Sequence, residues 1–201
     1  KGRALDQEIA EDAYHTPYMR PLVQPKFRRE KKGLTPAERG TATHLVLQYL
    51  DLQNLDVPGQ VEKLRLEAKL TAEQAAAVDV PALRRFLESP LAEEMRQAET
   101  AAREYRFTVL MPARDYDPAA AEEDSILLQG VVDCWFETPE GITVVDFKTD
   151  FVQTEEDVAQ HAELYRGQLA AYSLALERVL EKAVTRKALY FLQAGKTVEI
   201  S

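Results

Sequence analysis

The alternation of apolar and polar positions is clearest at residues 129–150, where it predicts two antiparallel strands joined by a short turn. Runs rich in Val, Ile, Phe and Trp flank the turn sequence Thr-Pro-Glu-Gly at 138–141. The second run, residues 142–148, is apolar on both faces, which is typical of a strand buried inside a sheet. Symmetric closure of the turn places Glu137 opposite Ile142 and so defines the register of the hairpin.

This register places Asp133 opposite Asp146, with Lys148 on the same face as Asp146. Directly opposed Cβ atoms lie about 4.5–5.5 Å apart, so the two carboxylates are predicted to converge. Opposed like charges destabilise a sheet, and a divalent cation is the natural compensation; carboxylate oxygens suit Mg²⁺ or Mn²⁺. The alternative is a surface hairpin whose carboxylates extend into water, and the apolar second strand argues against it.

Patterns elsewhere predict helices around a sheet. The predicted elements are a helix at 35–52, amphipathic helices within 57–102, a strand at 103–111, a loop at 112–125, the hairpin, a helix at 155–180, and strands at 184–192 and 197–200. Residues 57–102 show no candidate chemistry and are expected to form a helical subdomain beside the sheet. Within it, Pro58 and Gly59 are expected to break the chain before a helix at 60–70. Residues 1–33, which contain three prolines and a basic run, are predicted to be a linker from an upstream domain.

The first predicted helix carries a histidine. Thr35 and Glu38 have the spacing of a capping box, which indicates a helix start. His44 lies further along this helix among apolar neighbours, where a lone histidine is more often packed than a ligand. Gly40, four residues earlier, leaves room for another segment to approach closely. A ligand role for His44 is therefore open until it is joined to the hairpin.

Further candidates lie on the last helix and on the strand at 103–111. Tyr165, Gln168 and Tyr172 recur at helical spacing and share one face. Aromatic residues at this spacing usually belong to the core, but a buried Gln168 requires hydrogen-bond partners. Glu104 falls on the polar side of its strand, where it is either a site residue or solvent-facing.

Composition narrows the class of protein. The 201 residues are 45% hydrophobic and 29% charged, as in globular proteins. The formal net charge of −9 at first argues against a nucleic-acid partner, although an acidic catalytic centre would contribute to it. The basic run at 26–32 is either a solvated linker or a local anion-binding segment. The single cysteine, Cys134, excludes a disulfide framework and a multi-cysteine zinc or iron–sulfur site within this chain.

The chain begins with Lys1 rather than Met, and is expected to be part of a longer polypeptide. Apolar runs stay shorter than the roughly 18 residues that span a bilayer, and the opening residues do not resemble a signal peptide. No membrane partner and a cytoplasmic location are therefore expected.

Four motifs occur in a fixed order: GTATH at 40–44, GVVD at 130–133, DFKTD at 146–150, and Tyr165 followed by QLAAY at 168–172. The set resembles the RecB-type nuclease domain of the PD-(D/E)XK superfamily, particularly the AddA-type domains of bacterial AddAB helicase–nucleases. The resemblance covers residues 34–201. It implies an α/β fold with a mixed central β-sheet flanked by helices (restriction-endonuclease-like), to which the helices of 57–102 are added.

The resemblance also implies roles for individual residues. It implies that His44, Asp133 and Asp146 bind a metal with the backbone carbonyl of Phe147, and that Lys148 is the catalytic lysine. The implied metal is Mg²⁺, with Mn²⁺ able to substitute and Ca²⁺ able to bind without supporting turnover.

The remaining implied site residues lie around this centre. Gln168 and Tyr172 form the helix motif beside the site, with plain packing as their alternative. Glu104 matches an acidic position of the family loosely and is a possible additional residue.

The implied function is a Mg²⁺-dependent, largely sequence-independent DNA exonuclease module of a helicase–nuclease in double-strand-break resection and recombinational repair. The implied partners are DNA, an upstream helicase domain of the same polypeptide and the partner subunit of a heterodimer. One alternative is a catalytically silent nuclease-like fold used for DNA binding or for the assembly of subunits. Another is a stand-alone recombination exonuclease.

Overall fold

The computed structural model describes residues 33–115, 118–150, 152 and 154–200. The helices are α1 (Pro36–Tyr49), α2 (Val57–Leu66), α3 (Ala72–Ala77), α4 (Val80–Leu87), α5 (Pro90–Gln97) and α6 (Glu155–Leu180). The strands are β1 (Ala101–Pro112), β2 (Ser125–Thr138), β3 (Gly141–Lys148), β4 (Val184–Phe191) and β5 (Lys196–Glu199), with a 3-10 turn at Ala113–Asp115. The predicted linker lies outside the described residues, apart from Gly33. No helix in the described ranges is long and apolar enough to cross a bilayer.

The five strands form one sheet in the order β1-β2-β3-β4-β5. All neighbouring strands are antiparallel except β3 and β4, which are parallel and are connected by α6. β3 occupies the middle of the sheet, and its residues from Ile142 to Phe147 are buried. The mixed sheet with flanking helices confirms the predicted α/β class, and the burial of β3 explains its unbroken apolar pattern.

The β2–β3 hairpin has the predicted register. Glu137 lies opposite Ile142, and the ladder extends from Thr138 and Gly141 at the turn to Cys134 and Val145. Gly141 has a φ of +143°, and a Cβ there would lie 2.8 Å from the backbone oxygen of residue 183. Both facts require glycine at this turn. Within the described chain, the ladder ends one step before Asp133 and Asp146 would face each other.

Two hydrophobic cores lie on opposite faces of the sheet. On one face, α1 to α5 pack against Phe136, Val145 and neighbouring strand residues in one continuous cluster. Phe86 of α4 joins helices to sheet, because its ring contacts Phe147 and Tyr190 edge-on at centroid distances of 5.0 Å each. On the other face, α6 packs against a cluster contributed by β1 to β4. Each fully buried large apolar side chain contributes about 1.5–3 kcal/mol to folding.

Two element boundaries differ from their predictions. Pro58 and Gly59 do not break the chain; they form the first turn of α2, because the Asp56 side chain caps that helix by accepting from the Gly59 N–H. Proline is tolerated in a first turn, whose N–H groups have no partner within the helix. β2 begins at Ser125 rather than near residue 129, because a longer β1 pairs with it as far as Pro112.

Phe86→Ala is expected to lower the free energy of unfolding by about 3–5 kcal/mol, because it removes the ring that bridges α4 and the sheet. Leu66→Ala on α2 is the matched control: its side chain is 71% exposed, so a change within about 0.5 kcal/mol is expected. Urea denaturation followed by circular dichroism measures both. A single transition is expected, since the helices and the sheet share one core; a two-step curve in which Phe86→Ala shifts only the first step would contradict this.

Candidate active site

The predicted site residues come from four separate parts of the fold. His44 lies on α1, Glu104 on β1, Asp133 on β2, Asp146 to Lys148 at the C-terminal end of β3, and Gln168 and Tyr172 on α6. Their contacts are centred on the point where β3 ends.

Helix α1 presents His44 from a firmly anchored position. Its first turn is closed by the predicted capping box of Thr35 and Glu38, and its C-terminal carbonyls accept hydrogen bonds from the Arg103 side chain. A Cβ at Gly40 would lie 3.0 Å from the Thr149 hydroxyl, so glycine lets the segment after β3 approach the helix closely. This anchoring holds His44 beside the end of β3.

Asp133 sits at an irregularity that regular alternation did not predict. The β1–β2 register continues on both sides of one gap in the described ladder, the pair Glu104 and Asp133. Glu104 has a φ of +52°, which is rare for a residue other than glycine, asparagine or aspartate. The face alternation changes at this point, because Val132 and Trp135 both pack on the α6 side. The expectation that Glu104 simply continues the polar face of its strand is therefore wrong.

This irregularity directs the Asp133 carboxylate towards α1 and β3. Its Oδ2 atom accepts a hydrogen bond from the Phe147 N–H at 2.8 Å and lies 3.4 Å from Nδ1 of His44. Burial acts to lower the pKa of His44, but the hydrogen bond and charge of Asp133 outweigh it, and the pKa is raised. The pKa of Glu104 is also raised, by burial and then by the charge of Asp133. Excess negative charge therefore surrounds His44.

Asp146 is the most deeply buried acid of the group, with 3% of its surface exposed. Burial raises its pKa to about 6, although the nearby Lys148 ammonium acts in the opposite direction; Asp133 raises it further. Lys148 Nζ lies 2.8 Å from Asp146 Oδ2, but that oxygen has no hydrogen bond of good geometry. The contact is an ion pair with unused acceptor capacity.

Lys148 is also connected to α6. Its Nζ donates to Oε1 of Gln168 at 3.1 Å, and Nε2 of Gln168 donates to the Tyr172 hydroxyl at 2.8 Å. The expectation that Gln168 requires polar partners is confirmed. Tyr172 is itself fixed by an edge contact with the Phe107 ring, at a centroid distance of 5.9 Å.

Tyr165 also belongs to this site, although sequence reasoning assigned it no separate role. Nζ of Lys148 lies 3.5 Å from the centroid of its ring. Its hydroxyl donates to Oδ2 of Asp150 at 3.1 Å. The available signal was its position three residues before Gln168, which places both on one helix face.

The donor set fits a divalent cation by its chemistry. An imidazole of raised pKa, two carboxylates and a nearby backbone carbonyl at Phe147 are ligands that Mg²⁺ and Mn²⁺ accept. The raised pKa values of His44 and Asp146 reflect negative charge that a bound cation would neutralise. Within the described part of the chain, however, no three His, Cys, Asp or Glu side chains form a ready-made metal cage. The assignment of His44, Asp133 and Asp146 as ligands therefore stays a prediction.

Comparison with known proteins identifies the family. The sequence profile of the PD-(D/E)XK nuclease superfamily matches residues 14–199. The chain belongs to this superfamily. The predicted family is thereby confirmed, and with it the class of enzyme: PD-(D/E)XK proteins of this kind are nucleases, which generally use divalent metal ions.

Relatives of this PD-(D/E)XK domain are each named as one subunit of an ATP-dependent helicase/nuclease, the same subunit in every case. The relative in Acetivibrio thermocellus is 40% identical over 200 residues, covering 96% of this chain and 16% of its own length. That in Ruminiclostridium cellulolyticum is 38% identical over 183 residues, covering 89% and 15%. That in Bacillus cytotoxicus is 36% identical over 208 residues, covering 95% and 17%. The chain thus spans about one-sixth of the length of these curated relatives.

Asp133→Ala is expected to lower the free energy of unfolding by about 1–3 kcal/mol, because the buried N–H of Phe147 loses its acceptor. Asp133→Asn keeps an acceptor oxygen at the same place and should lose less than half as much. Urea denaturation in EDTA compares the two variants without bound metal. Equal losses would show that the charge of Asp133, and not its hydrogen bond, stabilises this part of the fold.

Proposed function

We propose that this PD-(D/E)XK domain is a Mg²⁺-dependent DNA exonuclease module that cleaves largely without regard to sequence. The observation that carries the proposal is the buried ion pair of Asp146 and Lys148, at 2.8 Å, beside Asp133 and His44. A lysine next to buried carboxylates supplies both a cation-binding set and a mobile positive charge at one place. Hydrolysis of a phosphodiester requires both.

The metal ligands in this proposal are His44, Asp133, Asp146 and the backbone carbonyl of Phe147. A divalent cation bound there would lower the pKa of a water molecule and withdraw charge from a phosphate oxygen. Mn²⁺ is expected to replace Mg²⁺, and Ca²⁺ to bind without supporting turnover. Lys148 either accepts a proton from the attacking water or stabilises the charge that develops on the phosphate.

The other site residues act through Lys148 or at the edge of the centre. Gln168 accepts a hydrogen bond from Lys148 and so limits the directions its amine can take. Tyr172 holds Gln168 in that orientation. Glu104, beside Asp133 in an uncommon backbone conformation, is proposed as an additional acidic residue of the site.

The proposed roles all address the phosphodiester and not the bases, which is why cleavage is expected to depend little on sequence. The name that the relatives share supports a wider context. We propose a cytoplasmic helicase–nuclease in which a helicase domain of the same polypeptide and a partner subunit deliver DNA to this site for double-strand-break resection. That context rests on the relatives' name alone, since the chain spans about one-sixth of their length.

Millimolar Mg²⁺ or Mn²⁺ is expected to raise the melting temperature of the protein, since an ion at 100 times its Kd stabilises by about 2.7 kcal/mol. Asp146→Asn should abolish the shift because it removes a charged ligand. Glu137→Gln is the matched control: it changes a carboxylate of the same hairpin that is paired with Lys182 at the turn end. An undiminished shift in Asp146→Asn would place the bound ion elsewhere.

Lys148→Met is expected to lower kcat for linear single-stranded DNA by about 10²–10³-fold, because it removes the positive charge beside the reacting phosphate. Lys182→Met should leave kcat unchanged, since that lysine pairs with Glu137 at the surface. Cleavage is measured on the full-length polypeptide in its assembly, with melting temperature as the check on folding.

Two outcomes would decide against catalysis at this site. Full activity of Lys148→Met would remove the proposed role of the lysine. A wild-type protein that binds Mn²⁺ but does not cut linear DNA would instead favour the silent nuclease-like fold used for binding or assembly.

A further inference from the structure

The ammonium group of Lys148 is contacted from three sides. Asp146 Oδ2 lies 2.8 Å away, Gln168 Oε1 accepts a hydrogen bond at 3.1 Å, and the Tyr165 ring centroid lies 3.5 Å away. The first two contacts are polar and belong to the proposed function. The third is an aromatic face for which that function provides no role.

The Tyr165 ring is held in place from both ends. Its backbone lies on α6, three residues before Gln168, so the helix presents both side chains to the same lysine. Its hydroxyl donates at 3.1 Å to Oδ2 of Asp150, which follows Lys148 by two residues. The ring is thus tied to the helix and to the segment that carries the lysine. Such a doubly fixed ring loses little further freedom when it holds a cation.

An aromatic face is suited to a cation that must stay charged and mobile. The negative face of the ring attracts an ammonium group, by about 0.5–2 kcal/mol depending on desolvation, without taking its proton. The Lys148 side chain is only 13% exposed, so water competes weakly for the same charge. If Asp146 is engaged as a metal ligand, Gln168 and Tyr165 still direct the amine.

We propose that Tyr165 is a positioning residue that holds the Lys148 ammonium against its ring through catalysis, with Asp150 fixing the ring. This inference rests on the proposed function, because it assumes that Lys148 acts on the phosphodiester. It assigns Tyr165 a role through Lys148 and no contact with the scissile phosphate.

Tyr165→Phe and Tyr165→Leu separate the ring from the hydroxyl. Phe keeps the aromatic face and loses the hydrogen bond to Asp150, whereas Leu loses both. In the full-length polypeptide, Tyr165→Leu is expected to lower kcat about tenfold or more with KM within about twofold, and Tyr165→Phe to retain kcat within about threefold. Tyr49→Leu is the matched control, since Tyr49 is an exposed tyrosine whose ring contacts Lys69 at 4.1 Å, and it should change neither parameter.

A second readout does not depend on turnover. Acetylation of Lys148 by acetic anhydride in metal-free protein, counted by peptide mass spectrometry relative to Lys182, should accelerate roughly threefold or more in Tyr165→Leu but not in Tyr165→Phe. A ring that only fills space would lower the melting temperature of Tyr165→Leu without changing kcat or the labelling ratio. That result would overturn the inference.

The two levels of proposal fail differently. If Lys148→Met is inactive and Tyr165→Leu is fully active with unchanged labelling, only the role of Tyr165 is wrong. If Lys148→Met is fully active, the proposed function itself fails, whatever the Tyr165 variants do. A rise in KM with unchanged kcat in Tyr165→Leu would assign the ring to DNA binding and would also contradict a role through Lys148.

Discussion

The burial of negative charge at the end of an apolar strand is the constraint on which the rest of this structure depends. Asp146 is 3% exposed within β3, and burial raises its pKa to about 6 despite the ion pair with Lys148. A second carboxylate, Asp133, lies near enough to raise that pKa further. Acids are rarely buried unless paired, so the surrounding elements must hold these groups in place.

Several long-range contacts meet this demand. The Arg103 side chain anchors the C-terminal carbonyls of α1, while Gly40 admits Thr149 against the same helix. The uncommon backbone of Glu104 interrupts the β1–β2 ladder and lets Asp133 reach the Phe147 N–H. These features concern the position of a few side chains, and they are the places where the fold departs from regular geometry. Such departures concentrate at functional sites.

The two cores on either side of the sheet make these departures tolerable. Charged and irregular residues reduce stability where they lie, whereas α1 to α5 on one face and α6 on the other bury a large apolar surface. Function and stability are therefore separated in space: the site occupies the C-terminal end of β3, and the cores cover both faces of the sheet. This is the usual relation between a site and its scaffold in proteins with a buried parallel strand pair.

Local sequence patterns by themselves determined the hairpin register, the capped start of α1, the apolar β3 strand and the polar requirement of Gln168, because each depends on residues close together along the chain. The ordered motifs likewise indicated the family. Only the tertiary structure decided where Asp133 points and that the Tyr165 ring lies over Lys148. These outcomes depend on a left-handed residue in a neighbouring strand and on the packing of α6, which are long-range constraints that periodicity does not encode.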